Sequence, residues 1–355
     1  SVSADAGSGG SGIVVVRYQI SEAQSGTAKA SGGAISFYGS KTIHTFTSTG
    51  TFTAPGTFNE TLEYVVVGGG GAGGGPSSPG LNSYYGGGGG AGAFRKGSTP
   101  ISTPQTIAVT VGAGGAKGPT LAAAGSSSSF GSPITSPGGG LGSSWVDPGG
   151  GPTVGGGPGA SSGGASYGGP VQPSTGATFS PTDASADTPS NGWGHSGGAG
   201  NANGNTGGGG GAGGVGQAAD ASNGGDGGLG MQLPATFRNP VSTVGAPGPT
   251  STSTHNPGWT NVDDSGKFWV AGGGGGSTLG PQSPYTPGQG GVGTYGPSNG
   301  PWSGAGNASA KAAGGTAALQ NTGSGGGGSD RNSNPSPNPD AGNGGSGIVL
   351  IAYPT

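Results

Sequence analysis

The chain has 355 residues, with 95 glycines, 29 prolines, 28% hydrophobic and only 6% charged residues, a net charge of −3 and no cysteine. So little apolar mass excludes an ordinary Leu/Ile/Phe core for a domain of this size, and the scattered basic residues exclude the clustered cationic footprint that nucleic acid requires. Without cysteine there is neither a disulfide framework nor a thiolate site, and no apolar run approaches the roughly 20 residues that span a bilayer.

Glycine and proline make up over a third of the chain, a range in which disorder is the default expectation. Two features oppose it. Charge is too sparse for a solvated disordered chain, and the glycines fall in blocks separated by short strand-like runs.

Residues 5–18 read DAGSGGSGIVVVRY, and residues 340–353 read DAGNGGSGIVLIAY. Ile13, Val14, Val15 and Val16 therefore have counterparts in Ile348, Val349, Leu350 and Ile351, a β-branched strand written at both ends. We expect residues 1–20 to be the closing strand of a preceding module and residues 21–67 a hairpin-rich segment. Residues 68–345 are then a glycine slab with loop insertions, and 346–355 the closing strand. The chain reads as one period of a longer array, with the two strands as candidate joints between copies.

Residues 34–38 form a short strand-like run. Residues 42–47 (TIHTFT) alternate, Ser48-Thr49-Gly50 turns the chain, and residues 51–53 (TFT) run back, which is a hairpin pattern. His44 within it is expected to face solvent or a neighbouring threonine. Residues 62–67 (LEYVVV) run straight into Gly68, residues 106–111 (TIAVTV) into Gly112, and residues 268–270 toward the block 272–276. Trp269, between Phe268 and Val270, reads as core. Helical signal is confined to the alanine-rich 308–318, which Gly314-Gly315 interrupt.

The glycine blocks need an explanation, because ordering glycine costs more backbone entropy than ordering any other residue. The left-handed extended helix, with three residues per turn, supplies one. It has no internal hydrogen bonds, so its N–H and C=O groups must be paired laterally. Without Cβ atoms many such helices pack side by side, and a block of about six residues spans roughly 19 Å. Ala72, Ala91 and Ala212 would then sit at slab edges or fill small gaps. A strict Gly-X-Y period is missing, which argues against collagen. The predicted fold is all-β and irregular: short antiparallel strands, a packed slab of left-handed polyglycine II helices, Pro/Ser/Asn-rich loops and almost no α-helix.

Catalysis has little to stand on. Asp263 and Asp264 are adjacent and point to opposite sides of an extended chain, and no Gly-x-Ser-x-Gly elbow follows a strand. Residues 68–75 precede Pro76-Ser77-Ser78-Pro79 and not the helix that a dinucleotide fingerprint requires. NGGDGGLG (223–230) has a calcium-repeat flavour but occurs once, in the wrong aspartate register. No enzyme, cofactor or metal is expected. The sharpest binding candidates are aromatic residues in polar loops: Tyr84, Tyr85, Trp145, Tyr167, Trp193 beside His195, Trp259, Tyr285, Tyr295 and Trp302. Exposed rings bring area at low entropic cost and suit stacking on sugars, while the same rings could cap the slab faces.

YVVVGGGGAGGG (64–75), TIAVTVGAGG (106–115), GSSSSFG (125–131), WVAGGGGG (269–276), NTGSGGGG (321–328) and GGSGIVLIAY (344–353) occur in that order, after FTSTGTFTAP (46–55). The series resembles the glycine-rich tail-fibre and adhesin proteins of bacteriophages. That resemblance implies an extracellular, virion-borne fibre domain whose variable loops touch a host surface polysaccharide or outer-membrane receptor. It covers most of residues 41–355; the insertions 170–196 and 231–267 fall outside its motifs. Two alternatives stand beside it: a self-assembling extracellular filament subunit joined end to end by terminal strands, and an ice-binding slab. Ice binding predicts regularly spaced threonines or alanines, which the irregular Pro-rich loops oppose.

Overall fold

The computed structural model describes residues 26–75, 83–118, 122–146, 156–166, 173–177, 189, 192–248, 267–278, 287–291, 302–309, 314–332 and 340–355. Strands among the described residues, numbered in chain order, are β1 (Ala34–Tyr38), β2 (Lys41–Phe46), β3 (Gly50–Ala54), β4 (Glu60–Val67), β5 (Ser83–Gly86), β6 (Phe94–Ile101), β7 (Gln105–Thr110), β8 (Ser128–Phe130), β9 (Ile134–Ser136), β10 (Ser144–Val146), β11 (Met231–Gln232), β12 (Trp269–Val270), β13 (Asp330–Asn332) and β14 (Ile348–Pro354). Helical geometry among the described residues is limited to two 3₁₀ turns, Ala235–Phe237 and Trp302–Gly304. The fold is all-β, and described residues of the alanine-rich 308–318 make lateral bonds, such as Thr316 N–H to the Asn307 carbonyl, in place of a helix.

The principal sheet has the order β1-β2-β14-β4-β6, and a second sheet has the order β3-β7-β8-β9. Between them lies an aromatic core of Phe46, Phe52, Phe58, Tyr64, Phe130 and Tyr353, with Leu62, Val66, Val349 and Ile351. Phe52 makes edge-on contacts with Phe58 and Phe130, at 6.0 and 5.8 Å between ring centroids, a favoured aromatic geometry. The other face of the principal sheet packs Ile43, Val65, Val67, Ile348 and Leu350 against Phe94, Trp193, Leu233, Phe237 and Phe268. Because β14 is covered on both faces and flanked on both edges, its sequence is a continuous apolar run without alternation.

The hairpin expected between residues 42–47 and 51–53 does not form. β2 pairs with β1 and β14, while β3 pairs with β7 in the opposite sheet. Ser48-Thr49 therefore belongs to an arch that carries the chain across the core, and Phe46 and Phe52 enter that core from opposite sheets. The true hairpin lies just upstream. Tyr38 pairs with Lys41 across Gly39 and Ser40, whose φ angles of 55° and 61° match the primed two-residue turn that fits strand twist.

The glycine blocks pack as laterally bonded three-fold helices. In residues 86–93 the N–H groups of Gly87, Gly90 and Ala93 reach the carbonyls of Ser143, Gly140 and Pro137, while those of Gly88 and Ala91 reach Gly207 and Gly210. Those of Gly86, Gly89 and Gly92 reach Ser329, Gly326 and Gly323. Donors thus rotate through three neighbours with a period of three, the signature of the polyglycine II helix. Carbonyls of the same helix accept from Gly71 and Gly74, from Ser161 and Gly164, and from Gly274 and Ser277, so six neighbours surround it. Lateral pairing meets the backbone's hydrogen-bonding needs in a segment whose only side chains are the methyl groups of Ala91 and Ala93.

Slab and sheet are continuous. β4 runs into 68–75, 86–93 runs into β6, and 340–347 runs into β14. The strand order β14-β4-β6 carries on into the lattice, where Gly70 bonds to Gly345 and Gly71 to Gly90. Ala72, Ala91 and Ala212 are buried, and Ala91 and Ala212 belong to the apolar cluster beneath the principal sheet, where the glycine lattice borders side-chain packing.

Candidate functional site

Two regions carry the sequence-based site assignments: the closing strand and the aromatic positions. Strand β14 pairs antiparallel with β2 (Val349 to Phe46 through Pro354 to Lys41) and with β4 (Ile348 to Val67 through Ala352 to Glu63). Both of its edges are therefore filled by its own chain. Ile348, Val349, Leu350 and Ile351 are central core residues and not an open edge awaiting a partner, which corrects the simplest form of strand addition. Ile13, Val14, Val15 and Val16 lie outside the described residues.

At the end of this strand a buried polar network fixes the register. The Tyr353 hydroxyl accepts the Ala30 N–H at 3.0 Å and lies 3.0 Å from His44 Nε2, while His44 Nδ1 lies 2.6 Å from the Gly32 carbonyl. A carbonyl can only accept, so Nδ1 carries the proton and Nε2 accepts from tyrosine. His44 is wholly buried, with its ring against Phe52 and Tyr353 in place of the solvent or threonine neighbour expected from alternation. Burial pushes its pKa below the usual value, against an opposing effect of the Gly32 hydrogen bond. The ring is a neutral structural linker. Tyr353→Phe leaves the Ala30 N–H and His44 Nε2 buried without partners, and we expect a loss of about 2–3 kcal/mol in denaturant unfolding.

The aromatic positions divide. Trp193 is 1% exposed and stacks on Phe94 with ring centroids 6.0 Å apart and planes 6° apart. Its backbone exchanges hydrogen bonds with Phe94, and Lys96 Nζ lies 5.8 Å from its ring centroid. His195 is also buried, with Nδ1 against the Gly211 carbonyl. Tyr85 is buried in β5, paired in register with Trp145 of β10 and Asp330 of β13. Trp193, His195 and Tyr85 are therefore removed from any receptor surface by their burial. Tyr84 also lies in β5, opposite Val146 and Arg331, and Trp302 opens a 3₁₀ turn. Tyr167, Trp259, Tyr285 and Tyr295 lie outside the described residues. Trp269 is buried, as its apolar neighbours indicated.

A family model for the glycine-rich domain matches residues 45–354, nearly the whole span from β2 to β14. The chain belongs to the glycine-rich domain family. No curated protein matches it.

Within this glycine-rich domain, no group of three or more His, Asp or Glu residues is placed to hold a metal ion among the described residues. No helix among them is long and apolar enough to cross a membrane. A cleft of about 400 Å³ opens between β6, β7 and the β8–β9 turn, lined by Thr99, Ile101, Gln105, Ile107, Phe130 and Ile134. Its lining offers hydroxyl, amide and apolar groups but no ionisable side chain. Chemically the domain provides a cross-linked backbone lattice, a closing strand locked by a buried network, and loops that leave the lattice between helices.

Proposed function

We propose that this glycine-rich domain is an extracellular, non-enzymatic fibre module of the tail-fibre or adhesin type, which holds loops against a host surface polysaccharide or outer-membrane receptor. The observation that carries this reading is the helix 86–93 bonded to six neighbours. A lattice so cross-linked gives loops fixed points of departure, and many weak contacts from repeated copies then add through multivalency. Trp259, Tyr285 and Tyr295, in Pro/Ser/Asn-rich sequence suited to stacking on sugars, are the contacts we assign to recognition.

Binding to an array of bacterial surface polysaccharides and outer-membrane preparations tests it. Trp259→Ala combined with Tyr285→Ala should lower binding more than tenfold with an unchanged melting temperature. Trp193→Ala should lower the melting temperature, because that ring is core. Unaltered binding by the double variant would end the recognition role.

A second reading, the self-assembling filament, is favoured by one observation: the closing phrase of residues 340–353 is written again at residues 5–18. Electron micrographs of purified protein separate the two, continuous filaments with an axial repeat supporting the second and isolated knobs the first.

A further inference from the structure

The principal sheet has one slot for a closing strand, between β2 and β4, and the sequence contains two segments that match it. They differ only at Ser8 against Asn343, Val15 against Leu350, Val16 against Ile351 and Arg17 against Ala352. The slot's demands can be taken position by position.

Its first half is a track in the glycine lattice. Gly342 accepts from Gly73, and the N–H groups of Gly344, Gly345 and Gly347 bond to Gly115, Ser324 and Gly112. A Cβ at Gly342, Gly344, Gly345 or Gly347 would lie 1.8, 2.0, 2.1 or 2.1 Å from a backbone carbonyl oxygen, so each must be glycine. The N-terminal phrase has glycine at all four equivalents: Gly7, Gly9, Gly10 and Gly12. The second half is β14, whose Val349, Ile351 and Tyr353 enter the aromatic core; Val14, Val16 and Tyr18 repeat that side, including the hydroxyl that His44 and Ala30 engage. Glycine composition alone would not reproduce this sequence of close approaches followed by a β-branched face and a terminal tyrosine.

Two replacements change the chemistry: Ser8 stands for Asn343, whose Oδ1 accepts the Lys117 N–H at 2.7 Å, and Arg17 stands for Ala352. Ala352 stands opposite Glu63 in register, and the Glu63 carboxylate receives Lys41 Nζ at 2.6 Å and Thr236 Oγ1 at 2.7 Å. Arg17 in that place would put a guanidinium in register with that carboxylate, a charge-assisted pairing, at a position where Ala352 is fully buried in the apolar cluster and the neighbours must give way.

We propose that residues 5–18 are a second closing element, which enters the β2–β4 slot of another copy of this chain in exchange for that copy's residues 340–353. The proposal rests on the filament reading and names its joint. Each copy then carries one slot and two segments able to fill it. The strand pairing formed between copies resembles the pairing it replaces, so exchange is governed by concentration, as in other swaps of identical elements. The tethered strand has the advantage of an effective concentration in the millimolar range, and exchange therefore needs concentrated protein or refolding of mixed copies.

The absence of cysteine makes a cross-linking test clean. Leu350, the equivalent of Val15, is in register with Thr45. Full-length Val15→Cys and Thr45→Cys copies, unfolded, mixed and refolded under oxidation, should yield a disulfide-linked heterodimer. Pairing Val15→Cys with Val241→Cys, at an exposed loop position, sets the random background. Yield no higher than that background overturns the proposal, and if filaments persist in micrographs the filament reading survives with a different joint.

An independent measurement uses Ile351→Asp, which spoils the copy's own closing strand. Recovery of this variant as a folded dimer or larger species, lost in Ile351→Asp/Val16→Asp, supports the exchange. Folding as a monomer would place residues 5–18 in their own slot and overturn transfer between copies. Equal failure, or equal folding, of the single and double variants would overturn the proposal altogether.

Discussion

Gly88→Ala is expected to unfold the slab, costing more than about 3 kcal/mol, at the upper end of what overpacking exacts. Gly88 donates to Gly207, accepts from Gly164, and sits so close to a third helix that an added Cβ would lie 1.9 Å from the Gly274 carbonyl oxygen. The same Cβ would meet the Gly209 nitrogen at 2.8 Å. Every atom in the way is backbone, and each belongs to a helix bonded to further helices. Relief by rotating a side chain is therefore absent, and separating one pair strains the bonds of the next. Domain stabilities commonly total about 5–15 kcal/mol, so the effect should be visible as a lower midpoint in both thermal and denaturant melts. Gly56 is the matched control: nothing lies within 4 Å of its added Cβ, and Gly56→Ala should stay within about 0.5 kcal/mol of the parent. Three residues beyond Gly88, Ala91 is accommodated because it belongs to the apolar cluster that includes Val65, Phe94 and Trp193, where the lattice gives way to side-chain packing. Equal midpoints for Gly88→Ala and Gly56→Ala would mean that the helices are not held at lattice distance.

The same contrast explains what could be read from sequence. Strands β4 and β14 are legible because burial on both faces leaves uninterrupted apolar runs ending at glycine, and the slab is legible because long glycine blocks have few other ordered solutions. Pairing partners are not legible. The alternation in 42–47 is satisfied equally by a hairpin and by an arch, and only the two-sided core around Phe52 decides between them. β6 (FRKGSTPI) escapes notice because it is polar and lies at a sheet edge; its eight-residue register with β4 continues a pairing begun in the lattice at Gly68 and Ala93. Trp193 shows the same limit at the site. WGHSGG has the composition of a loop, yet its tryptophan ring stacks on Phe94 and is buried in a cluster that includes Leu233 and Phe237 from an insertion about forty residues downstream. The nearest local signal was the glycine block that follows it, which places the residue at a helix start inside the slab.

Asp226→Asn is expected to stabilise the protein at neutral and alkaline pH and to leave it nearly unchanged near pH 4. Asp226 is buried within a glycine block; its Oδ1 accepts the Gln289 N–H at 2.7 Å, while Oδ2 and the Gln289 Oε1 find no hydrogen-bond donor among the described residues. Burial pushes the carboxyl up to about 7 from an ordinary 3.8, against the opposing Gln289 hydrogen bond. A folded pKa above the unfolded one means that the folded protein keeps a proton the unfolded chain has released. Its stabilising contribution is thus complete below pH 4, falls between about pH 4 and 7, and is absent above. At about 1.36 kcal/mol per pKa unit, the charged carboxylate costs about 4 kcal/mol at pH 8. Asparagine retains an acceptor for the Gln289 N–H, adds a donor where the carboxylate has none, and does not titrate. His44 acts in the opposite sense: its depressed pKa gives stability that is lost as pH falls below the usual histidine range, so the parent's pH curve contains both trends. Because His44 is common to both proteins, the difference between Asp226→Asn and the parent isolates the carboxylate. Chemical denaturation at pH 4, 6 and 8 should show that difference growing to several kcal/mol. A difference independent of pH would mean that Asp226 keeps an ordinary carboxylate pKa in the fold, and would overturn the assignment of a buried, proton-retaining carboxyl.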